Sequence, residues 1–120
     1  MFSDQKTTVD EMRAACIALV KRKGWGDGNG VQNPQHVAMA MTVEMSELLE
    51  HFQWLNPEDV ERLKAGEDPE RCAMIAEEFA DVMMYGLQLA RTLKIDITGQ
   101  VLRKIDIVDH RPPKTWNPKR

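Results

Sequence analysis

The stretch Asp68-Pro69-Glu70-Arg71-Cys72-Ala73-Met74-Ile75-Ala76-Glu77-Glu78-Phe79-Ala80-Asp81-Val82-Met83-Met84-Tyr85-Gly86-Leu87-Gln88-Leu89 decides the fold. Asp68 followed by Pro69 is a helix-start signal, because the Asp side chain can accept backbone N–H groups and proline is preset for the first turn. Met74, Ile75, Phe79, Val82, Met83, Leu87 and Leu89 then recur at helical spacing. A helix so apolar, running to about Leu93, is expected at the centre of its domain. Within it Glu78 and Asp81 stand three residues apart, on one face of the helix.

The same spacing occurs upstream. Asn33-Pro34 opens a helix to about Gln53, with Val37, Met41, Met45, Leu48, Leu49 and Phe52 as its apolar stripe and Glu44 and Glu47 set into it. A first helix is expected from about Thr8 to Lys23, with Met12, Cys16, Ile17, Leu19 and Val20 on its apolar side. Pro57 to Lys64 forms a short helix closed by Gly66, and Ile95 to Val108 a last one that Pro112-Pro113 stops. No run reads as a strand. The expected fold is therefore all-α: an antiparallel four-helix bundle-like domain with a short extra helix. Its eight methionines suit a Met-rich core.

The 120 residues make one domain, expected over 1–110, with 111–120 as a flexible Pro-rich basic tail. A net charge of −3 excludes nucleic-acid binding through a generally basic surface. No segment approaches a membrane span, and residues 1–10 do not resemble a signal peptide, so a cytoplasmic protein is expected. Cys16 and Cys72 lack metal-type spacing and read as packing residues. Gly24, Gly26, Gly28 and Gly30 break the first helix. With no preceding strand and no Lys-Ser/Thr ending they are not a phosphate loop, and a lid or entrance loop is the reading they support.

Carboxylates in apolar helices are costly unless a cation or hydrogen bonds balance them. Two E-x-x-E/D pairs on facing helices would bring Glu44, Glu47, Glu78 and Asp81 together as an oxygen-only site. Such a donor set suits magnesium, with manganese as the alternative, and no His/Cys cluster competes for a softer metal. A di-iron bundle would want Glu-x-x-His, which His51 does not provide. Magnesium at such a site fits phosphoanhydride hydrolysis of a phosphate-bearing substrate.

The string from Pro34 to Trp54, with Glu44-Met45-Ser46-Glu47 and the Glu50-His51-Phe52-Gln53-Trp54 ending, followed by Glu77 to Val82, resembles the MazG-like all-α nucleoside triphosphate pyrophosphohydrolases. The single-domain, dCTP-pyrophosphatase-like branch is the nearest in pattern, and the resemblance covers about Arg22 to Lys104. It implies cleavage of a nucleoside triphosphate between the α and β phosphates with magnesium, giving a monophosphate and pyrophosphate, in nucleotide pool sanitation. It also implies Glu44, Glu47, Glu78 and Asp81 as metal ligands and catalytic groups, and Trp25, His36, Trp54, Tyr85 and Lys104 around the nucleotide. Homodimers or homotetramers would follow. Two departures leave base preference open: the family often has Asn where His36 stands, and Val108 and Pro112 replace an Asn and a Tyr near the chain's end. Other readings are a non-catalytic nucleotide-binding or regulatory dimer, and a dUTP- or phosphoribosyl-ATP-type pyrophosphohydrolase.

Overall fold

A computed structural model of the chain describes residues 1–27 and 32–112. It contains five helices in the order α1 (Val9–Arg22), α2 (Pro34–Glu50), α3 (Pro57–Lys64), α4 (Pro69–Thr92) and α5 (Ile97–Asp109), and no strand among the described residues. The all-α expectation and all five helix positions hold.

Each helix starts where a side chain satisfies otherwise unpaired N–H groups. Thr8 accepts from the Glu11 N–H at 3.1 Å. Asn33 accepts from Gln35 and His36, at 2.9 and 3.3 Å, with Pro34 in the first turn. Asn56 and Asp59 form a reciprocal capping box, and Asp68 and Asp96 cap α4 and α5. Three helix ends share one geometry. The residue after the cap is left-handed, and the next N–H returns to the carbonyl three residues before the cap. Gly24 (φ 70°) does this for α1, with Trp25 N–H to Val20 O at 3.1 Å, and Gly66 (φ 74°) for α3. At α4 the left-handed residue is Lys94 (φ 55°), with Ile95 N–H to Ala90 O at 2.8 Å.

α4 is central, as its composition predicts: it packs against α1, α2 and α3. Arg13, early in α1, donates to the Ile95 carbonyl beyond the end of α4, while Cys16 Sγ approaches the Met84 carbonyl at 3.5 Å. α1 and α4 are thus antiparallel. On the other side Met41 lies against Gly86, and Arg71 of α4 donates to the carbonyl of His51 at the end of α2, so α2 is antiparallel to α4 as well. The buried apolar residues are Cys16, Ile17 and Val20 from α1, Val37 from α2, and Val82, Leu87 and Ala90 from α4. Fully burying an aliphatic side chain of this kind stabilises by about 1.5–3 kcal/mol.

The bundle-like arrangement holds loosely, since α5 forms no extensive packing contact with another helix and has no buried residue. Two expectations need correction. Met74, Phe79 and Met83 of α4, expected in the core, are 49%, 56% and 39% exposed, because α1 and α2 cover only part of the helix circumference. Six of the eight methionines (1, 12, 39, 45, 74 and 83) are exposed, so the core is not Met-rich. Gly28 and Gly30 of the expected lid, and 113–120 of the expected tail, lie outside the described residues.

Candidate active site

The α2–α4 seam places three of the four acids together. Glu44 and Glu47 project from α2 and Glu78 from α4, and one carboxylate oxygen from each lies within 4.8 Å of the others. The i, i+3 spacing supplies the α2 pair, and the antiparallel crossing supplies the third group. Asp81, one turn on from Glu78, is exposed and stands outside this trio, close enough that its charge acts on both Glu44 and Glu78.

The site is strained in charge. Glu44 Oε2 and Glu78 Oε2 are both buried without a hydrogen-bond partner. Loss of hydration raises the Glu44 carboxyl above its ordinary value, helped by the hydrogen bond and charge of Glu47 and by the charges of Asp81 and Glu78. Glu78 is raised in the same way, by desolvation first and then by the charges of Glu47 and Asp81. Converging oxygens with orphaned lone pairs and mutual repulsion are what a small, hard divalent cation relieves, and the donor set fits magnesium or manganese.

Spacing alone assigns His51 no role beyond failing to complete a Glu-x-x-His pair. Its backbone caps α2, but its ring also faces the acids, with Nε2 4.0 Å from Glu78 Oε1. Its position four residues after Glu47 was the available signal, since i and i+4 share a helix face. Arg71 holds this corner, donating to the His51 carbonyl at 3.4 Å and to the Asp68 carboxylate at 3.1 Å.

Of the residues expected around a nucleotide, His36 and Tyr85 do come together. They line a cavity of about 270 Å³ with Gly26, Gln32, Asn33, Val37 and Ala40, between the start of α2 and the middle of α4. Gln32 Oε1 is buried there without a partner. Trp25 adjoins this cavity through Gly26 and is 45% exposed, while Trp54 lies beyond the end of α2 and is 86% exposed. Lys104 lies on α5 and lines a cavity with Val101, Ile105, Val108 and Asp109 that contains none of the four acids.

The chain is 30% identical over 106 residues to dCTP pyrophosphatase 1 of Homo sapiens, a match covering 88% of this chain and 59% of that protein. It is 30% identical over 112 residues to dCTP pyrophosphatase 1 of Bos taurus (93% and 63%), and 27% identical over 106 residues to that of Rattus norvegicus (88% and 59%). The chain therefore spans about three fifths of the length of these curated relatives. Residues 39–111, which contain all four acids, match the MazG-like family, and the chain belongs to it.

Proposed function

We propose that the chain is a magnesium-dependent nucleoside triphosphate pyrophosphohydrolase, cleaving the α–β phosphoanhydride to release pyrophosphate and a monophosphate. The observation that supports this most is the convergence of Glu44, Glu47 and Glu78 with two buried, unpartnered carboxylate oxygens. Family membership and the names of the relatives point the same way, and dCTP is the first substrate to try. The role would be nucleotide pool sanitation.

Magnesium, when bound, would neutralise phosphate charge and acidify the attacking water. The chain's own residues would do the rest. Glu44, Glu47 and Glu78 would hold the cation. Asp81, outside the trio and exposed, would orient the water and take its proton. His36 and Tyr85 would hold the nucleoside in their cavity, next to the acids along α2 and α4. Trp25, Trp54 and Lys104 would join only through closure of neighbouring segments or through a second copy. That copy belongs to the proposal. Met45 and Leu49 on α2, Phe52 just past its end, Phe79 and Met83 on α4, and Val101, Leu102, Ile105 and Val108 on α5 leave apolar faces uncovered. Apolar area of that extent marks an association surface, and a homodimer or homotetramer would bury it.

Incubation with magnesium and a panel of nucleotides, dCTP, dUTP and phosphoribosyl-ATP included, tests the reading through pyrophosphate release. No release from any of them would leave the nucleotide-binding module without turnover as the better account. Sedimentation of the same sample reads the assembly, and a monomer would remove the oligomeric part.

A further inference from the structure

The α1–α4 seam holds a second group of charges, opposite in sign to the acids. A cavity of about 330 Å³ is lined by Asp10, Arg13, Ala14, Ile17, Ala18, Lys21 and Arg91. A second, of about 310 Å³, shares Asp10, Arg13 and Arg91 and adds Ala90, Lys94, Ile95 and Asp96. Arg13 is the most enclosed cation, its side chain 16% exposed and its Nε buried without a partner. One end of its guanidinium is fixed by the Ile95 carbonyl at 2.7 Å, and its acidic neighbour Asp10 is 4.0 Å away and 94% exposed. Among the described residues, Lys21, Arg91 and Lys94 have no salt bridge to an acid.

Three cations converge on the first cavity against one solvated carboxylate, in a chain of net charge −3. Neutralising the end of α4 explains part of this, since cations are favoured at a helix C-terminus. The same rule covers Lys21, which lies in the last turn of α1, but it does not explain the unpartnered Arg13 Nε, early in that helix. Lys94 adds to the pattern: it occupies the left-handed position that Gly24 and Gly66 fill at the other two helix ends, where a lysine is less favourable than glycine.

We propose that the α1–α4 cavity is a second anion site that takes a phosphate-bearing small molecule. Arg13 and Arg91 would supply guanidinium forks, Lys21 a point charge, and Ala14, Ile17 and Ala18 an apolar floor. The site is separate from the acids. Arg91 lies ten residues past Asp81, about 15 Å along α4 at 1.5 Å per residue, on the side that faces α1 rather than α2.

Omitting divalent metal separates the two sites experimentally, because the bare acids repel polyanions. The full chain in EDTA is titrated calorimetrically with inorganic pyrophosphate and, separately, with a nucleoside triphosphate. We expect binding of at least one. Equal affinity would identify the phosphates as the recognised group, whereas preference for the nucleotide would add the apolar floor. Lys21→Gln combined with Arg91→Gln should weaken binding by about tenfold or more, the loss expected when hydrogen bonds to a charged group disappear. Glu78→Gln should retain it. Circular dichroism follows folding, and if the double variant loses helicity, Arg91→Lys alone, which keeps the charge without the fork, should still weaken binding. Silence of the wild type at millimolar ligand, unchanged affinity in the folded Lys21/Arg91 variant, or loss in Glu78→Gln would each overturn the proposal.

Discussion

α4 presents two seams, and they differ in what they place between helices. On the α1 side, away from the basic cavities, burial is mostly apolar: α4 buries Leu87 and Ala90 along with Gln88, and α1 buries Cys16, Ile17 and Val20, Val20 fully. Against α2 it sets Glu78 opposite Glu44 and Glu47, half-buried and short of hydrogen-bond partners. The first seam contributes stability through burial. The second gives stability up, because like charges are drawn together and partly dehydrated. The contrast teaches that one long helix can be anchored on one side so that the other can hold an unfavourable arrangement useful for chemistry.

The sharpest way to break that division is to remove a carboxylate. Glu47→Gln or Asp81→Asn should lower pyrophosphate release by at least about a hundredfold, the scale of losing a preorganised charged group, while helical content by circular dichroism stays as it was. Near-normal turnover in either variant would mean that the α2–α4 seam is not the reacting centre. The opposite seam should respond the other way. Val20→Ala is expected to cost about 2 kcal/mol of stability in urea denaturation, from lost transfer energy plus the cavity left behind. Turnover per folded molecule should be little changed.

A more gradual effect comes from pH. Glu44 and Glu78 are raised above their ordinary value of 4.5 in the folded chain, so the folded state holds their protons more tightly than the unfolded state does. Their contribution is therefore fully present below that ordinary value and is lost as pH rises through the raised ones. Metal-free protein should lose stability over that interval, and Glu78→Gln should flatten the dependence. Melting temperatures measured in EDTA across the carboxylate range check this, and a stability that rises with pH there through these two groups would contradict it. Adding magnesium above that range should restore what was lost.

Much of the fold was legible because its signals are local. Asn33-Pro34, Pro57 and Asp68-Pro69 announce helix starts within one turn, and Gly24 and Gly66 announce ends. The Glu44/Glu47 and Glu78/Asp81 spacings were equally local, and the antiparallel crossing of α2 and α4 brought three of the four together. The methionine and phenylalanine stripes misled. Periodicity marks a face as apolar without saying whether the same chain covers it, and Phe79, Met83 and the α5 face stay exposed.

The sequence by itself therefore determined five helices, their caps and the presence of carboxylates at helical spacing, since these depend on neighbours within about four residues. Only the tertiary structure decided that Asp81 stands apart from the trio, that the His51 ring faces Glu78, and that α5 packs away from the bundle. Those outcomes depend on how two helices are rotated and crossed, and no spacing along one helix encodes where a side chain of another will lie.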